Sequence, residues 1–514
     1  MNTALINETY QRHEVLDDLE KELLSNPGDC DLVRRYFDVA VTSMQLDRGR
    51  TFLEKLLTQF PSYRQIRTLY ISLCLQLKEY HAAMAAIETL IAFSNLEDDL
   101  IDAALNVRAK IGPKRVTQGK LNHLSVCMIA RNEQHYLPAC LNAIKRFADE
   151  IVLLDTGSGD RTPDIARVFG ARVFHYQWQE DFAAARNAGL EKAEGDWVLI
   201  LDADEIIAEQ DLEGLRTILA EHDGGHTAFL METRNYTHQA NALKWNANDG
   251  RYPQFEAGIG WFPSKKIRLF PNNPSIRFNF PVHELVDPSV QRAGLDIQQC
   301  HIPIHHYGHL NEKRNRKKAE AYFRMGYEKL DQLGEDVGAI RELAVQAGQL
   351  ELWAESLALW DRLLKSRPEF RDAWINMSGA YWQLGQYQAA LRHAEKALEI
   401  DGQAKEAHYN IAVSLLMLGK AEAAMTVLSD LTEKHDDYLA ARFMMAAASA
   451  CRGSIKEAAA IFRFIENSAV GKALVFGIQD FAKRLQTAGL TEYAANLGIT
   501  VKLISSESNQ KSCV

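Results

Sequence analysis

The chain lacks most features that would place it among secreted, membrane-spanning or nucleic-acid-binding proteins. Its seven cysteines are odd in number, scattered and never spaced as Cys-x-x-Cys, which argues against a disulfide framework or a zinc knuckle. No window approaches about 18 uninterrupted apolar residues, so we expect no transmembrane segment. The net charge of −10 at pH 7 argues against nucleic acid as a partner.

The first residues of the chain also lack the apolar core of a secretory signal peptide, because they are acidic and amphipathic. Together with the dispersed cysteines, this predicts a cytoplasmic location. Hydrophobic residues make up 47% of the sequence and charged residues 25%, as in soluble globular proteins that bury a sizeable core. The length of 514 residues suffices for about three domains.

Residues 1–116 predict helices throughout. Two segments in this region resemble each other, and aligning Leu46 with Leu77 gives a step of 31 residues, which indicates a degenerate repeat of helical hairpins. The stretch 111–120 is basic and rich in glycine and proline, so we place a domain boundary there.

Residues 120–312 predict a different architecture, in which short apolar strands alternate with amphipathic helices. This alternation, with short turns, is typical of an α/β domain built on a mostly parallel, Rossmann-like sheet. Acidic and turn residues follow the first, second and fourth strands. They should therefore gather at one edge of the sheet, where open α/β sheets bind ligands.

The segment Asp202-Ala-Asp204-Glu205 follows the most apolar of these strands. Carboxylates prefer hard cations such as Mg²⁺ or Mn²⁺, and Mg²⁺ is usually held by one or two carboxylates together with substrate phosphates. An isolated Asp-x-Asp is more often an acidic turn after a core strand. Here the surrounding strands favour a site for a metal ion and a phosphate group.

Residues 227–309 are richer in aromatic residues and prolines and have a looser, β-like pattern. Irregular, aromatic-rich segments beside a catalytic edge often form acceptor pockets.

Residues 313–504 predict helices with a period of 34 residues. Three sets of small residues recur at this step: Ala373, Ala407 and Ala441; Gly385, Gly419 and Gly453; Ala390, Ala424 and Ala458. This period is typical of tetratricopeptide repeats (TPR), in which each unit is a helix–turn–helix. Stacked repeats form a groove that can hold a peptide, or else a plain scaffold. Residues 505–514 predict a disordered tail.

Three motifs in the central block resemble the nucleotide-binding half of family 2 glycosyltransferases. They are Leu-Ser-Val-Cys-Met-Ile-Ala-Arg-Asn-Glu at 124–133, Glu-Ile-Val-Leu-Leu-Asp-Thr-Gly-Ser-Gly-Asp-Arg-Thr at 150–162, and Ala-Arg-Asn-Ala-Gly-Leu at 185–190 with Asp-Trp-Val-Leu-Ile-Leu-Asp-Ala-Asp-Glu at 196–205. The resemblance covers about residues 122–310 and implies the GT-A fold. Val-His-Glu at 282–284, His-Tyr-Gly at 306–308 and the flanking repeats more loosely resemble the bacterial subgroup of SunS-like peptide glycosyltransferases.

The resemblance implies a nucleotide-sugar donor, usually a UDP-sugar, bound at the sheet edge. Asp155 would contact the base or the ribose, and the segment that includes Ala130, Arg131 and Glu133 would line the pocket. Arg186 would pair with the diphosphate, since a guanidinium matches phosphate oxygens. Alternatively, Arg186 is a surface residue on a helix.

The resemblance also implies a bound divalent ion, Mn²⁺ or Mg²⁺. Asp204 is the first expected ligand, and Asp202 would contact the ion or the ribose. Glycosyltransferases of this fold commonly add a late histidine, for which His306 is the first choice and His305 the second.

Inverting transfer requires a base near the acceptor, which typically contributes about 10²–10⁴-fold to the rate. Glu284 fits that place in the motif order and His283 is the rival. Alternatively, Glu284 makes a structural contact to a loop.

These features predict a metal-dependent, inverting glycosyltransferase that modifies a protein or peptide, such as a flagellin or a secreted peptide, held in the TPR groove. A second hypothesis is transfer to a lipopolysaccharide core or another surface glycan. A third is a non-catalytic TPR adaptor with a degenerate transferase core, which the intact Asp202-Ala-Asp204 argues against.

Overall fold

The computed structural model describes residues 3–93, 96–114, 122–222, 225–238, 245–282, 284–311, 320, 323–327, 330, 336–466 and 477–511. Backbone contacts divide the chain into two compact units. The first comprises residues 1–232, 266–280 and 284–304, and the second comprises residues 233–265, 281–283 and 305–514. Each unit is described by itself.

The first unit begins with six helices. They are α1 (Thr3–Ser25), α2 (Cys30–Thr42), α3 (Leu46–Gln59), α4 (Arg64–Gln76), α5 (Tyr80–Phe93) and α6 (Asp98–Ile111). The starts of α2 and α4 differ by 34 residues, as do those of α3 and α5, so the predicted step of 31 is wrong. Met44 and Lys78, with φ of 59° and 61°, occupy equivalent turns where no glycine marks the phase of the repeat.

The N-terminal helices share one hydrophobic core with the sheet that follows. A single cluster of buried side chains extends from Leu16 in α1 to strand residues such as Val126 and Ile304. The boundary predicted near residues 116–120 falls on residues 115–121, outside the described part of the chain.

Four parallel strands form one half of the sheet in the order β3-β2-β1-β4. They are β1 (Leu124–Ala130), β2 (Glu150–Asp155), β3 (Arg172–His175) and β4 (Trp197–Ile200), connected by α7 (Leu137–Ile144), α8 (Thr162–Val168) and α9 (Phe182–Leu190). The predicted α/β architecture is confirmed. Since parallel strands end at the same edge, the residues after β1, β2 and β4 lie along one rim.

The sheet continues beyond β4 in the order β8-β6-β9-β5, and β7 pairs with β8. These elements are β5 (Glu205–Ile206), α10 (Leu212–Glu221), β6 (Thr227–Thr237), β7 (Asn246–Ala247), β8 (Gly260–Pro271), α11 (Asp287–Arg292) and β9 (Asp296–His306). Strand β8 pairs antiparallel with β4, with Leu269 opposite Leu199. This pairing brings β8 beside the strand that precedes the acidic segment.

The second unit contains the helical repeats. They are α12 (Val337–Gln349), α13 (Trp353–Ser366), α14 (Arg371–Gln383), α15 (Tyr387–Ile400), α16 (Lys405–Met417), α17 (Ala421–Lys434), α18 (Leu439–Cys451), α19 (Ile455–Glu466), α20 (Ile478–Thr487) and α21 (Thr491–Lys511). Helix α21 includes most of the segment expected to be disordered, because the helix continues past Ser505.

The 34-residue period is confirmed in the turns and in the core of the repeats. Gly385, Gly419 and Gly453 lie between paired helices with φ between 74° and 82°, a conformation in which a side chain would be strained. The alanines of both periodic sets are fully buried, so neighbouring helices approach closely.

Candidate active site

A tight, hydrogen-bonded turn at the end of β4 holds the acidic segment. The backbone N–H of Asp202 donates to Oε2 of Glu205 at 2.9 Å, and the N–H of Glu205 donates to the carbonyl of Asp202 at 3.0 Å. Glu205 is buried and its Oε1 accepts from Nη2 of Arg268 at 2.7 Å. Glu205 therefore serves the turn, and Asp202 and the buried Asp204 are the two carboxylates that the motif predicts as ligands.

Arg186 joins two of the predicted site residues. Its Nη2 donates to Oδ1 of Asp202 at 2.8 Å, and its Nε donates to Oε1 of Glu284 at 2.6 Å. Helix α9 presents this side chain, and Asp181 caps the helix by accepting the N–H of Ala184. Only 8% of Arg186 is exposed, which excludes the surface arginine considered from the sequence.

The charges of this triad stabilise one another. Burial alone would raise the pKa of Asp202, but the guanidinium groups of Arg186 and Arg268 hold it well below its usual value. Burial would also raise the pKa of Glu284, yet Arg186 and Lys266 lower it. Burial would lower the pKa of Arg186, and the two carboxylates raise it instead. All three groups are therefore charged at neutral pH.

A small cavity opens beside the triad. Arg186, Lys266, Arg268, Phe278 and Glu284 line it, together with backbone and apolar groups. Its volume of about 10 Å³ has room for about one water molecule. A sugar ring is larger than this space, so a sugar can enter only if side chains move.

The loops after β1 and β2 form a second, linked part of the rim. Ser158 N–H donates to Oδ1 of the buried Asp155 at 3.2 Å, and His175 Nδ1 lies 3.2 Å from Oδ2 of the same residue. Asn132 accepts the N–H of Gly159 at 2.8 Å and so ties the two loops together.

Other residues predicted for the nucleotide pocket lie on the same loop after β1. The carbonyl of Ala130 accepts the N–H of Thr156 at 3.0 Å, the backbone N–H of the buried Glu133 donates to Thr162 Oγ1 at 2.7 Å, and Arg131 is exposed. The predicted nucleotide-binding residues thus all belong to the first unit.

The two histidines predicted as metal ligands lie in the second unit. His305 is fully buried, with Nδ1 2.7 Å from the hydroxyl of Tyr236 and with Tyr252 and Phe255 against its ring. Burial and the charge of Arg234 lower its pKa to about 4, and these neighbours do not favour a cation. His306 has Nδ1 2.7 Å from Oδ1 of Asn235.

No group of three or more carboxylate, imidazole or thiol side chains gathers as a metal site among the described residues. A dinuclear or all-protein metal cage therefore has no counterpart in that part of the chain. His283, the rival base, lies outside the described residues.

Three neighbours of the triad were not predicted: Lys266, Arg268 and Phe278. Lys266 and Arg268 are two residues apart in β8, so their side chains leave the strand on the same face. The ring of Phe278 lies 5.5 Å from the Arg186 guanidinium. The alternating basic residues were a usable signal, but only the antiparallel pairing of β8 with β4 directs them to the acidic rim.

Comparison with known proteins assigns this domain to a family. Residues 125–279 match the model of glycosyl transferase family 2, and residues 341–405 and 381–448 match tetratricopeptide repeat models. The chain therefore carries a family 2 glycosyltransferase domain together with tetratricopeptide repeats. This domain is therefore a glycosyltransferase domain.

Several curated proteins are similar to parts of the chain. A TPR repeat-containing protein of Synechococcus elongatus is 32% identical over 60% of this chain and 64% of its own length. The prophage-derived glycosyltransferase SunS of Bacillus subtilis is 25% identical over 37% of this chain and 40% of its own. A PGL/p-HBAD biosynthesis glycosyltransferase of Mycobacterium bovis is 33% identical over 22% and 48%. The chain thus spans less than two thirds of the length of each.

Among solved structures, a thermophilic TPR protein of Thermus thermophilus is 18% identical, with a TM-score of 0.28 over 35% of this chain and 94% of that one. Within the described residues, no helix is both long and apolar enough to cross a membrane.

Proposed function

We propose that the chain transfers a sugar from a nucleotide-sugar, by the usage of its family a UDP-sugar, to a protein or peptide with inversion at the sugar carbon. The observation that supports this proposal most is the buried triad in which Arg186 joins Asp202 and Glu284 within the glycosyltransferase domain. Paired, buried charges beside a cavity are an arrangement that active sites use to set the pKa values of their acids and bases.

The donor would bind along the rim formed by the loops after β1, β2 and β4. Asp155 would hold the base or ribose, with the backbone at Ala130 and the loop through Arg131 and Glu133 beside it. Asp202 would contact the ribose or the ion in the bound state. Because Asp202 is engaged by two guanidinium groups here, Arg186 is better placed to order these carboxylates than to pair with the diphosphate.

The acidic segment fits a divalent ion of the kind that one or two carboxylates hold together with substrate phosphates. Asp204 would be its main ligand. When bound, Mn²⁺ or Mg²⁺ supplies Lewis-acid stabilisation of the departing diphosphate.

Glu284 would accept the proton of the attacking hydroxyl or thiol. The ion pair with Arg186 keeps its carboxylate ionised, as a base requires, but also weakens its affinity for a proton. We infer that acceptor binding loosens this pair, so that Glu284 gains basicity when the acceptor is in place.

The TPR repeats are the proposed site for a protein or peptide acceptor, since stacked helical hairpins form a concave groove that can bind a peptide. The alternative acceptor is a lipopolysaccharide core or another surface glycan. The mycobacterial relative supports this alternative, because its name refers to PGL/p-HBAD biosynthesis and not to a protein acceptor. Incubation of cell extract with labelled nucleotide-sugar would distinguish the two, since label enters either protein bands or the organic phase.

The donor proposal is tested by hydrolysis and binding of UDP- and GDP-sugars by the full chain with Mn²⁺ or Mg²⁺. We expect Asp204→Asn to lose metal-dependent binding, whereas Glu209→Gln, an exposed carboxylate close by in the chain, keeps it. Equal binding by wild type and Asp204→Asn would contradict the assignment of the metal ligand. The absence of binding to any nucleotide-sugar would contradict the proposed function.

A further inference from the structure

The cavity beside the triad is lined by three cations of unequal availability. Arg186 is engaged by Asp202 and Glu284, and Arg268 by Glu205 at 2.7 Å, with Asp202 at 3.7 Å. Both guanidinium groups are therefore committed to carboxylates of the protein. A substrate anion could reach either group only in competition with those carboxylates.

Lys266 is different from the two arginines. It lines the same cavity and is half-buried, and within the described part of the chain its ammonium group has neither a hydrogen bond nor an ion pair. It nevertheless lies close enough to favour the ionised forms of Asp202 and Glu284. A partly desolvated ammonium without a partner is a site at which an anion can be bound.

The pairing of β8 with β4 explains why Lys266 lies beside the acidic segment. Strand β8 runs antiparallel to β4, and Leu199 lies opposite Leu269. Continuing this register by three residues would set Asp202 opposite Lys266. Lys266 would thus be a cross-strand neighbour of Asp202, on the same rim as the acidic segment that is proposed to bind the ion.

We propose that Lys266 binds the diphosphate of the nucleotide-sugar donor and of the nucleoside diphosphate that leaves. This inference rests on the proposed function and replaces Arg186, which we first expected in this role. The ammonium adds a positive charge from the protein beside the acidic segment. It would stabilise the negative charge that the departing diphosphate gains when the bond to the sugar breaks.

The test measures binding of nucleoside diphosphates and of their nucleosides to the full-length protein by calorimetry at fixed Mg²⁺. UDP, GDP, ADP and CDP are screened first, and the tightest is used with its nucleoside. We expect Lys266→Met to weaken diphosphate binding by about 10–100-fold and to leave nucleoside binding unchanged. Lys266→Arg should retain most of the affinity, because the charge is kept.

Matched controls separate this role from a structural one. Lys265→Met removes the same charge from the exposed neighbouring position, and we expect it to change neither affinity. Lys266→Gln serves as a second neutral variant if Lys266→Met fails to fold, as judged by circular dichroism. The salt dependence of diphosphate binding should also become shallower in both neutral variants.

The outcomes are distinct. If wild type binds none of the four diphosphates, the proposed function fails. If wild type binds one of them and the neutral variants bind it equally well, the role of Lys266 is overturned while the proposed function stands. Equal weakening of nucleoside and diphosphate binding would show that Lys266 only supports the shape of the pocket, and would also overturn the proposal.

Discussion

At the scale of single residues, the site depends on one buried arginine that orders two carboxylates. Arg186 donates to Asp202 from one nitrogen and to Glu284 from another. A lysine carries a single charged nitrogen and cannot reproduce this fork. The geometry of Glu284 and its proton affinity therefore both depend on Arg186.

Replacement of Arg186 should shift the pH dependence of transfer. Arg186 lowers the pKa of Glu284, and a base loses activity as the pH falls through its pKa, so Arg186→Met should move the acid limb of the rate profile to higher pH. We expect kcat to fall by about 10²-fold or more, with partial recovery in Arg186→Lys. The profile of transfer is measured with acceptor, and the profile of donor hydrolysis is measured without it. An unchanged acid limb would show that Glu284 is not the titrating base.

His305 should make the stability of the second unit depend on pH. Its pKa is lowered to about 4 in the folded protein, against 6.5 in the unfolded chain, so the unfolded chain binds the proton more readily between these values. Stability present above pH 6.5 is therefore lost as the pH falls towards 4, by about 2 kcal/mol between pH 7 and pH 5. Denaturant titrations of wild type and His305→Gln check this, and equal losses in both would contradict it.

Sequence reasoning found most members of the site but not their pairing. Asp202, Arg186 and Glu284 were each predicted from motifs. Their mutual contacts depend on how α9 and the loop before α11 pack at the end of β4, and a motif carries no such information. Lys266 was missed for a related reason, since the face of β8 is known only once its antiparallel partner is known.

At the scale of elements, periodicity was informative where small residues marked it. The C-terminal repeats were predicted because glycine recurs at each turn of positive φ and alanine at each close contact. In the N-terminal region, Met44 and Lys78 occupy the equivalent turns, so the sequence gives the wrong phase. Both regions require a positive φ at these turns, but the requirement can be recognised in the sequence only where the residue is glycine.

A buried charge cluster anchors the N-terminal helices to the sheet domain. Glu88 of α5 accepts from Arg108 Nη2 at 2.5 Å, and its other oxygen lies 2.9 Å from Lys145 Nζ, with all three side chains almost buried. Burial lowers the pKa of both Arg108 and Lys145. Each cation therefore depends on the single carboxylate that compensates it.

Replacement of Glu88 should destabilise the whole first unit. Glu88→Gln leaves two buried cations without a counter-charge, which costs about 3–5 kcal/mol, and the loss should be seen by probes in the helices and in the sheet together. Glu22→Gln, on the exposed face of α1, should change stability by less than about 0.5 kcal/mol. Loss of helix α5 alone, with the sheet still protected in hydrogen exchange, would contradict a shared core.

At the scale of the whole molecule, the chain consists of two compact units with separate hydrophobic cores. Two clusters of buried hydrophobic side chains lie entirely in the first unit. The hydrophobic clusters of the helical repeats lie entirely in the second unit. The proposed donor site belongs to the first unit and the proposed acceptor groove to the second. Ligands of the two sites should therefore stabilise different parts of the protein.

Differential scanning calorimetry should resolve this division as two transitions. A nucleoside diphosphate with Mg²⁺ at about 100 times its Kd should stabilise the first unit by about 2.7 kcal/mol and leave the temperature of the second transition unchanged.

Two variants should each affect one transition. Ala407→Leu overpacks a fully buried position of the repeats. It should destabilise only the second unit, by about 1–3 kcal/mol, and so lower only the temperature of the second transition. Glu88→Gln should lower only the first. A single transition that every perturbation moves equally would mean that the two cores unfold as one, and ligand binding at the donor rim would then be coupled to the repeats.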